Sequence, residues 1–356
     1  MIAPKKVLII NIFGIGDVLF TTPLVSNLKQ AYPDLYIGYL SNRRTASIVQ
    51  TNPKINQVFI YERDEFVEAS AYSPWKLFVK WIKFIDTIRK ERFDMVIDVS
   101  LNSGMSFLSW AAGVPQRVGF NYKNRSRFFT KEIPLEGYED KPVADYYLDI
   151  LEMLGIPVKI RQLELSLSPN DHNWAKNFFT QNNIASSQLT IGFVPGGGAS
   201  WGKDAVLKRW PPEKYAKLAD KIVEKLSAQI ILMGDEKEKD LCSRVANLMK
   251  HRPLSACGET TIHQFAALAK RCALVVVNDG GPLHVAVAAG AKTVSIFGPV
   301  DDLVYGPYPQ GNHFVVKRDL PCRPCYRRFR KASCEHLSCL NQITVDDVLR
   351  KVEEAV

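Results

Sequence analysis

Asp279-Gly280-Gly281 lies between an apolar, β-branched run, Ala273 to Val277, and a stretch of small residues that opens with Pro282 and closes at Gly290. The run reads as a buried parallel strand. Proline suits the first turn of a helix and glycine the position just past its end. A strand, a glycine turn and a helix start together make an anion site. The first N–H groups of the helix have no internal partner, and the helix dipole favours negative charge there. Glycine also lets a phosphate come close to the backbone. His284 falls in the first helical turn, within reach of a diphosphate held at that point.

A second turn, Gly14-Ile15-Gly16-Asp17, follows the run Val7 to Ile12. It is not a dinucleotide fingerprint, because the third glycine of that pattern falls on Leu19. A nicotinamide-dependent oxidoreductase is disfavoured for that reason. The carboxylate of Asp17 is either a helix cap, favoured by the dipole, or a general base. Thr21, Thr22 and Pro23, one turn on, would line the same pocket. Lys208, in Lys208-Arg209-Trp210-Pro211, is a candidate cation for a phosphate. Glu238 sits in the charged run Asp235 to Asp240, which otherwise reads as a solvated helix face.

Two further groups stand out. Arg117 to Lys131 carries Arg117, Lys123, Arg125, Arg127 and Lys131 with no acid, and aromatics are interleaved. That pattern fits a loop facing an acidic partner. Cys322-x-x-Cys325, Cys334 and Cys339 share one short segment. Four thiolates, or three with His336, would suit a structural zinc with no position left open for catalysis; reduced thiols or a local disulfide are the alternative. Cys242, Cys257 and Cys272 are scattered, as core thiols are.

Strand and helix signals alternate in both halves of the chain. Strands are expected at Val7 to Ile12, Tyr36 to Leu40, Gln57 to Ile60 and Met95 to Val99, with helices at Val18 to Tyr32 and Trp75 to Arg92. The rhythm restarts at Thr190 to Val194, followed by Gly196-Gly197-Gly198. It continues through a helix from Pro212 to Leu226 and strands at Gln229 to Met233, Ala273 to Val277 and Thr293 to Phe297. The pattern predicts an α/β chain with two doubly wound parallel sheets. The expected domains are 1–170 and 171–356, the second carrying the cysteine loop 322–339 and a last helix at 345–356. The carboxyl ends of the strands would face a shared cleft.

With 356 residues the chain suits two domains. Its composition, 46% hydrophobic and 23% charged, is that of an ordinary globular protein. No apolar run nears the roughly 20 residues that span a bilayer. The apolar start at Val7 ends in Gly16-Asp17 with no small-residue cleavage site, which predicts a first strand and a cytoplasmic protein. A formal charge of +9 suits an anionic partner: nucleic acid, a phosphorylated substrate or an acidic membrane.

Taken in order, Gly14-x-Gly16-Asp17-x-Leu19-x-Thr21-Thr22-Pro23-Leu24, Lys208-Arg209-Trp210-Pro211 and Asp279-Gly280-Gly281-x-x-His284 resemble glycosyltransferase family 9, which includes the ADP-heptose:lipopolysaccharide heptosyltransferases. The motifs span most of the chain. The resemblance implies a GT-B fold of two Rossmann-like domains. It implies inverting transfer from a nucleotide-diphospho-sugar, ADP-heptose above all, with no metal or other cofactor in the chemistry. Asp17 would be the general base. Lys208, Asp279, Gly280, Gly281 and His284 would hold the donor diphosphate, and Glu238 the donor nucleoside. The acceptor would be an acidic or phosphorylated glycolipid at the inner membrane. Thr21, Thr22, Arg117, Lys123, Arg125 and Arg127 would face it. One departure is Gly280, where many members carry serine or threonine and so a hydroxyl. Another is Ala199 to Leu207, which looks like an insertion before Lys208. Two other classes stay open: a nucleotide-sugar epimerase on the same lobes, and a zinc-containing nucleic-acid-binding protein. The second leaves both glycine turns unexplained.

Overall fold

The computed structural model describes residues 3–198 and 201–356, which fall into two compact units. The first runs to Tyr138 and takes in Val143–Arg161; the second comprises Glu139–Pro142 and Gln162–Val356. In the first unit β1 (Lys6–Ile10), β2 (Tyr36–Ser41), β3 (Gln57–Ile60), β4 (Met95–Asp98), β5 (Gln116–Tyr122) and β6 (Lys131–Leu135) form one sheet, ordered β3-β2-β1-β4-β5-β6. In the second, β7 (Thr190–Val194), β8 (Gln229–Leu232), β9 (Leu254–Ser255), β10 (Leu274–Asn278), β11 (Thr293–Ile296) and β12 (His313–Val316) are ordered β12-β11-β10-β7-β8-β9. Every neighbouring pair is parallel. Both sheets wind alike: the first strand of each is central, and the fourth lies on its other side. That is the doubly wound arrangement expected from the sequence. Its switch point, between β1 and β4 or between β7 and β10, is where such sheets bind ligands.

The central strands are fully buried because helices cover both faces. Val7 to Ile10 and Leu274 to Val277 are inaccessible to solvent, which is why they read as continuous apolar runs. The covering helices start at strong caps. Ser168 with Asp171, Thr261 with Gln264 and Thr344 with Asp347 each form a reciprocal capping box. The last helix, Val345–Ala355, buries Val348, Leu349, Val352 and Ala355 at helical spacing.

Three sequence expectations are corrected. The single helix expected from Val18 to Tyr32 is two, Ile15–Phe20 and Thr22–Ala31. Pro23 has no N–H to give the Leu19 carbonyl, and the Thr22 hydroxyl donates to that carbonyl instead, at 2.7 Å. The stretch before Thr190, to which the expected rhythm assigns no element, contains the helix Pro169–Gln181. The basic segment 117–131 is not one loop. Arg117 lies in β5 and Lys131 in β6, and the chain turns back between them through Lys123 and Asn124, both at positive φ. β6 is an edge strand, which lets it carry charge and Pro134 where a central strand would not.

Candidate functional site

The switch point of the second unit is built by Asn278, the last residue of β10. Its side chain donates to the Pro195 carbonyl at 2.8 Å and accepts from the Trp210 N–H at 3.1 Å. One buried amide thus ties the ends of β7 and β10 to the segment that carries Lys208. Trp210 is fully buried, and its indole N–H donates to the Ile343 carbonyl at 3.2 Å. Two residues before it, the Lys208 ammonium lies 2.7 Å from Asp279 Oδ2, with only 9% and 4% of the two side chains exposed. Lys208 Nζ also sits 5.0 Å from the centre of the Trp201 ring, a cation–π contact.

The glycines of this turn are steric requirements. Gly280 has φ 156°, and a Cβ there would overlap the Gly197 carbonyl. The loop after β7 therefore packs directly on the backbone of the turn after β10. Gly280→Ala is expected to cost about 2 kcal/mol or more. It should lower the melting temperature and abolish ligand binding; a variant that melts with the wild type would refute the close approach. The helix Gly281–Ala288 follows, with Pro282 in its first turn, and Gly290 at φ 82° stops it. His284 is buried in the first turn. Burial first, and the Lys208 charge second, hold its imidazole down to about 3. It is therefore neutral at physiological pH.

Glu238 alone of its charged run turns inward. Its carboxylate accepts from the Gly198 N–H at 3.0 Å and the Asp235 N–H at 3.2 Å, and lies 3.6 Å from Arg209. A Cβ at Gly196 would overlap this carboxylate. Burial pushes Glu238 up, against the pull of those N–H groups and of Arg209. The structure thus brings Lys208, Asp279, Gly280, Gly281, His284 and Glu238 to one end of one sheet. Ala199 and Ser200, where the insertion before Lys208 begins, lie outside the described residues.

In the first unit Asp17 occupies the first turn after β1, and its Oδ2 accepts from the Gly14 N–H at 3.3 Å. Two asparagines shape the loop. Asn11 donates to the Asp17 carbonyl at 3.0 Å and accepts from Phe13, while Asn42 donates to the Ile12 and Phe13 carbonyls. Thr21 is buried; its hydroxyl donates to the Val18 carbonyl and meets the Tyr39 hydroxyl at 2.7 Å. Both threonine hydroxyls are therefore engaged around the proline break. Of the cations, Arg117 binds the carbonyls of Phe128 and Val114, and Arg125 that of Leu101 at 3.0 Å. Lys123, Arg125 and Arg127 are exposed.

Asp98, at the end of β4, is a buried carboxylate that sequence reasoning missed. It is 1% exposed; its Oδ1 accepts from the Ser100 N–H at 2.8 Å, while Oδ2 has no hydrogen-bond partner. Burial pushes the carboxyl up to about 7, against the opposing Ser100 bonds. A folded-state value above the unfolded one, roughly 3.9, favours the fold in full below about pH 4. That contribution is lost as pH rises through about 7. Asp98→Asn should therefore gain stability relative to wild type between pH 5 and pH 8, read from urea midpoints. Parallel midpoints would show that Asp98 does not titrate in this window. Asn11, Asn278 and Asp98 share one signal: a polar residue closing an apolar strand.

All seven cysteines are free. Burial first, and the neighbouring cysteines second, push the Cys325 thiol up, and burial leads in pushing Cys339 up to about 11. His336 pairs with Ser338 at 2.8 Å. Among the described residues, no group of three or more His, Cys, Asp or Glu is arranged to hold a metal ion.

The two Rossmann-like units, the second with a glycine-bounded turn at its switch point, give the chain the GT-B fold. The chain belongs to glycosyltransferase family 9 (heptosyltransferase), whose model matches residues 81–336. It is 23% identical over 300 residues to lipopolysaccharide heptosyltransferase 3 of Escherichia coli, covering 82% of this chain and 83% of that one. In fold it is similar to a family 9 glycosyl transferase of Veillonella parvula, with a TM-score of 0.80 at 23% identity over 99% of this chain and 97% of that one. It is also similar to the ADP-heptose lipopolysaccharide heptosyltransferase II of E. coli, with a TM-score of 0.75 at 21% identity over 98% of both chains.

Proposed function

We propose that this glycosyltransferase moves a heptose from ADP-heptose onto a lipopolysaccharide core or a related envelope glycan, with inversion and without a metal. The observation that carries this is the buried Lys208–Asp279 pair beside the Gly280-Gly281 turn and a neutral His284. Transfer leaves a nucleoside diphosphate whose oxygens gain negative charge. A desolvated ammonium supplies a fixed charge, and a helix N-terminus a fixed dipole, suited to such oxygens. The heptosyltransferases of E. coli that the chain resembles support heptose and ADP.

In this mechanism Asp17 takes the proton of the acceptor hydroxyl as its oxygen attacks the anomeric carbon. Attack comes from the face opposite the diphosphate, so the configuration inverts. Lys208 and the Gly281 end of the helix receive the leaving group. Glu238, a buried acceptor of hydrogen bonds, suits the hydroxyls of the donor ribose. Exposed Lys123, Arg125 and Arg127 meet the phosphates of the acceptor. The four cysteines carry no step. No helix among the described residues is long and apolar enough to cross a membrane; the proposed location is the cytoplasmic face of the inner membrane.

Calorimetric titration with ADP, UDP and GDP tests the donor. ADP is expected to bind most tightly. Preference for UDP or GDP would keep the transferase and change its sugar, and no binding of any of the three would sink the assignment of the site.

A further inference from the structure

The helix Pro74–Glu91 carries a broad apolar arc. Leu77, Trp81, Phe84, Ile85 and Ile88 pack into the core of the first unit. At 100° per residue, Trp75, Phe78 and Ile82 continue this apolar arc past Ile85, and they are 69%, 53% and 48% exposed. The sequence pattern reads the arc as one apolar face; the structure buries part of it and leaves this stripe exposed. Trp75 and Phe78 stack with ring centres 5.6 Å apart, so the stripe is preformed.

A second exposed aromatic group lies on the next helix, Ser103–Ala111. Arg89 ties the two helices by donating to the Ala111 carbonyl at 2.7 Å. There Trp110 is 51% exposed and lies against Phe107 and Phe128, with ring centres 5.7 and 5.3 Å away. Lys76 and Lys83 flank the stripe and are exposed; among the described residues neither has a carboxylate partner. Exposed aromatics clustered on a soluble surface mark an interaction site. Tryptophan and phenylalanine beside unpaired lysines are the side chains of a helix lying in the headgroup region of an anionic bilayer.

We infer that this face of the first unit docks the enzyme on an anionic bilayer, with Trp75, Phe78 and Ile82 inserted below the headgroups and Lys76 and Lys83 against their phosphates. Charge complementarity selects lipid over an apolar protein partner. The inference rests on the glycosyltransferase reading only in that a lipid-linked acceptor gives docking a purpose.

The test is sedimentation of the full chain with vesicles of phosphatidylglycerol and phosphatidylcholine, at low and high salt. Wild type should bind, more weakly as salt rises. Trp75→Ser/Phe78→Ser/Ile82→Ser should bind roughly tenfold more weakly or less still. These side chains are exposed, so the melting temperature should barely move. Lys76→Glu/Lys83→Glu should remove the salt dependence. No binding by wild type, or equal binding by the triple variant, overturns the inference. So does a wild type that dimerises where the triple variant is monomeric, since a second copy would then cover the stripe. Turnover of a de-acylated, water-soluble acceptor should be equal in wild type and the triple variant. Absence of turnover in both would count against the proposed function and leave the vesicle result to stand alone.

Discussion

Asp17→Asn will lower transfer by about a thousandfold, within the range that a positioned general base contributes. ADP affinity will stay within about twofold, because the role proposed for the residue is to take the acceptor proton and not to hold the donor. The amide keeps the shape of the carboxylate and can still accept from the Gly14 N–H, the bond that holds Asp17 in the first helical turn. Lost transfer therefore cannot be blamed on a collapsed loop, which Asn11 and Asn42 hold independently. The competing account makes Asp17 only a cap whose carboxylate favours the helix N-terminus. Losing that costs about 1 kcal/mol of stability and no turnover. Turnover on a soluble acceptor, read beside a thermal melt, separates the two: unchanged turnover with a small drop in melting temperature would leave Asp17 a cap.

The stretch Ala273–Gly290 could be read as strand, turn and helix because its signals are local: β-branched residues, then Asp-Gly-Gly, then Pro282 and a terminal glycine. The basic segment could not, because it leaves β5 through a turn and ends in β6, the edge strand of its sheet. An edge strand with one solvated face needs no apolar run, so its charges imitate a loop. The partners of the site were out of reach for a different reason. Lys208 and Asp279 each stand out in the sequence, but nothing near either shows that they form a pair. Asn278, which aligns β7 with the Lys208 segment, is visible only as a polar residue at the end of an apolar strand. Glu238 was masked by its neighbours, since one buried carboxylate in a run of exposed charges has no periodic signature. The helix Pro74–Glu91 was legible as a helix, but helical spacing counts apolar residues without saying which of them meet the core.

Lys208→Ala will do two separable kinds of damage. Removing the ammonium leaves the Asp279 carboxylate buried and uncompensated, and breaking such a pair costs about 3–5 kcal/mol. A loss of that size should lower the melting temperature by roughly 10 °C. It also removes the buried cation proposed to meet a diphosphate, so ADP affinity should fall about a hundredfold, within the range for a buried charge-assisted contact. Adding Asp279→Asn to Lys208→Ala neutralises the orphaned carboxylate, so stability should return while ADP affinity does not. That divergence is the test. If both properties recover together, the lysine serves only to neutralise Asp279, and the diphosphate is held elsewhere. If neither recovers, Asp279 has work beyond the ion pair. His284 gives an internal check, because the Lys208 charge is the smaller of the two causes of its depression and burial the larger. In Lys208→Ala its imidazole should titrate higher than in wild type, yet still below the ordinary histidine value. An NMR titration that returns it fully to that ordinary value would mean that water has entered the site, and the lost affinity would then belong to a loosened pocket instead of a missing charge.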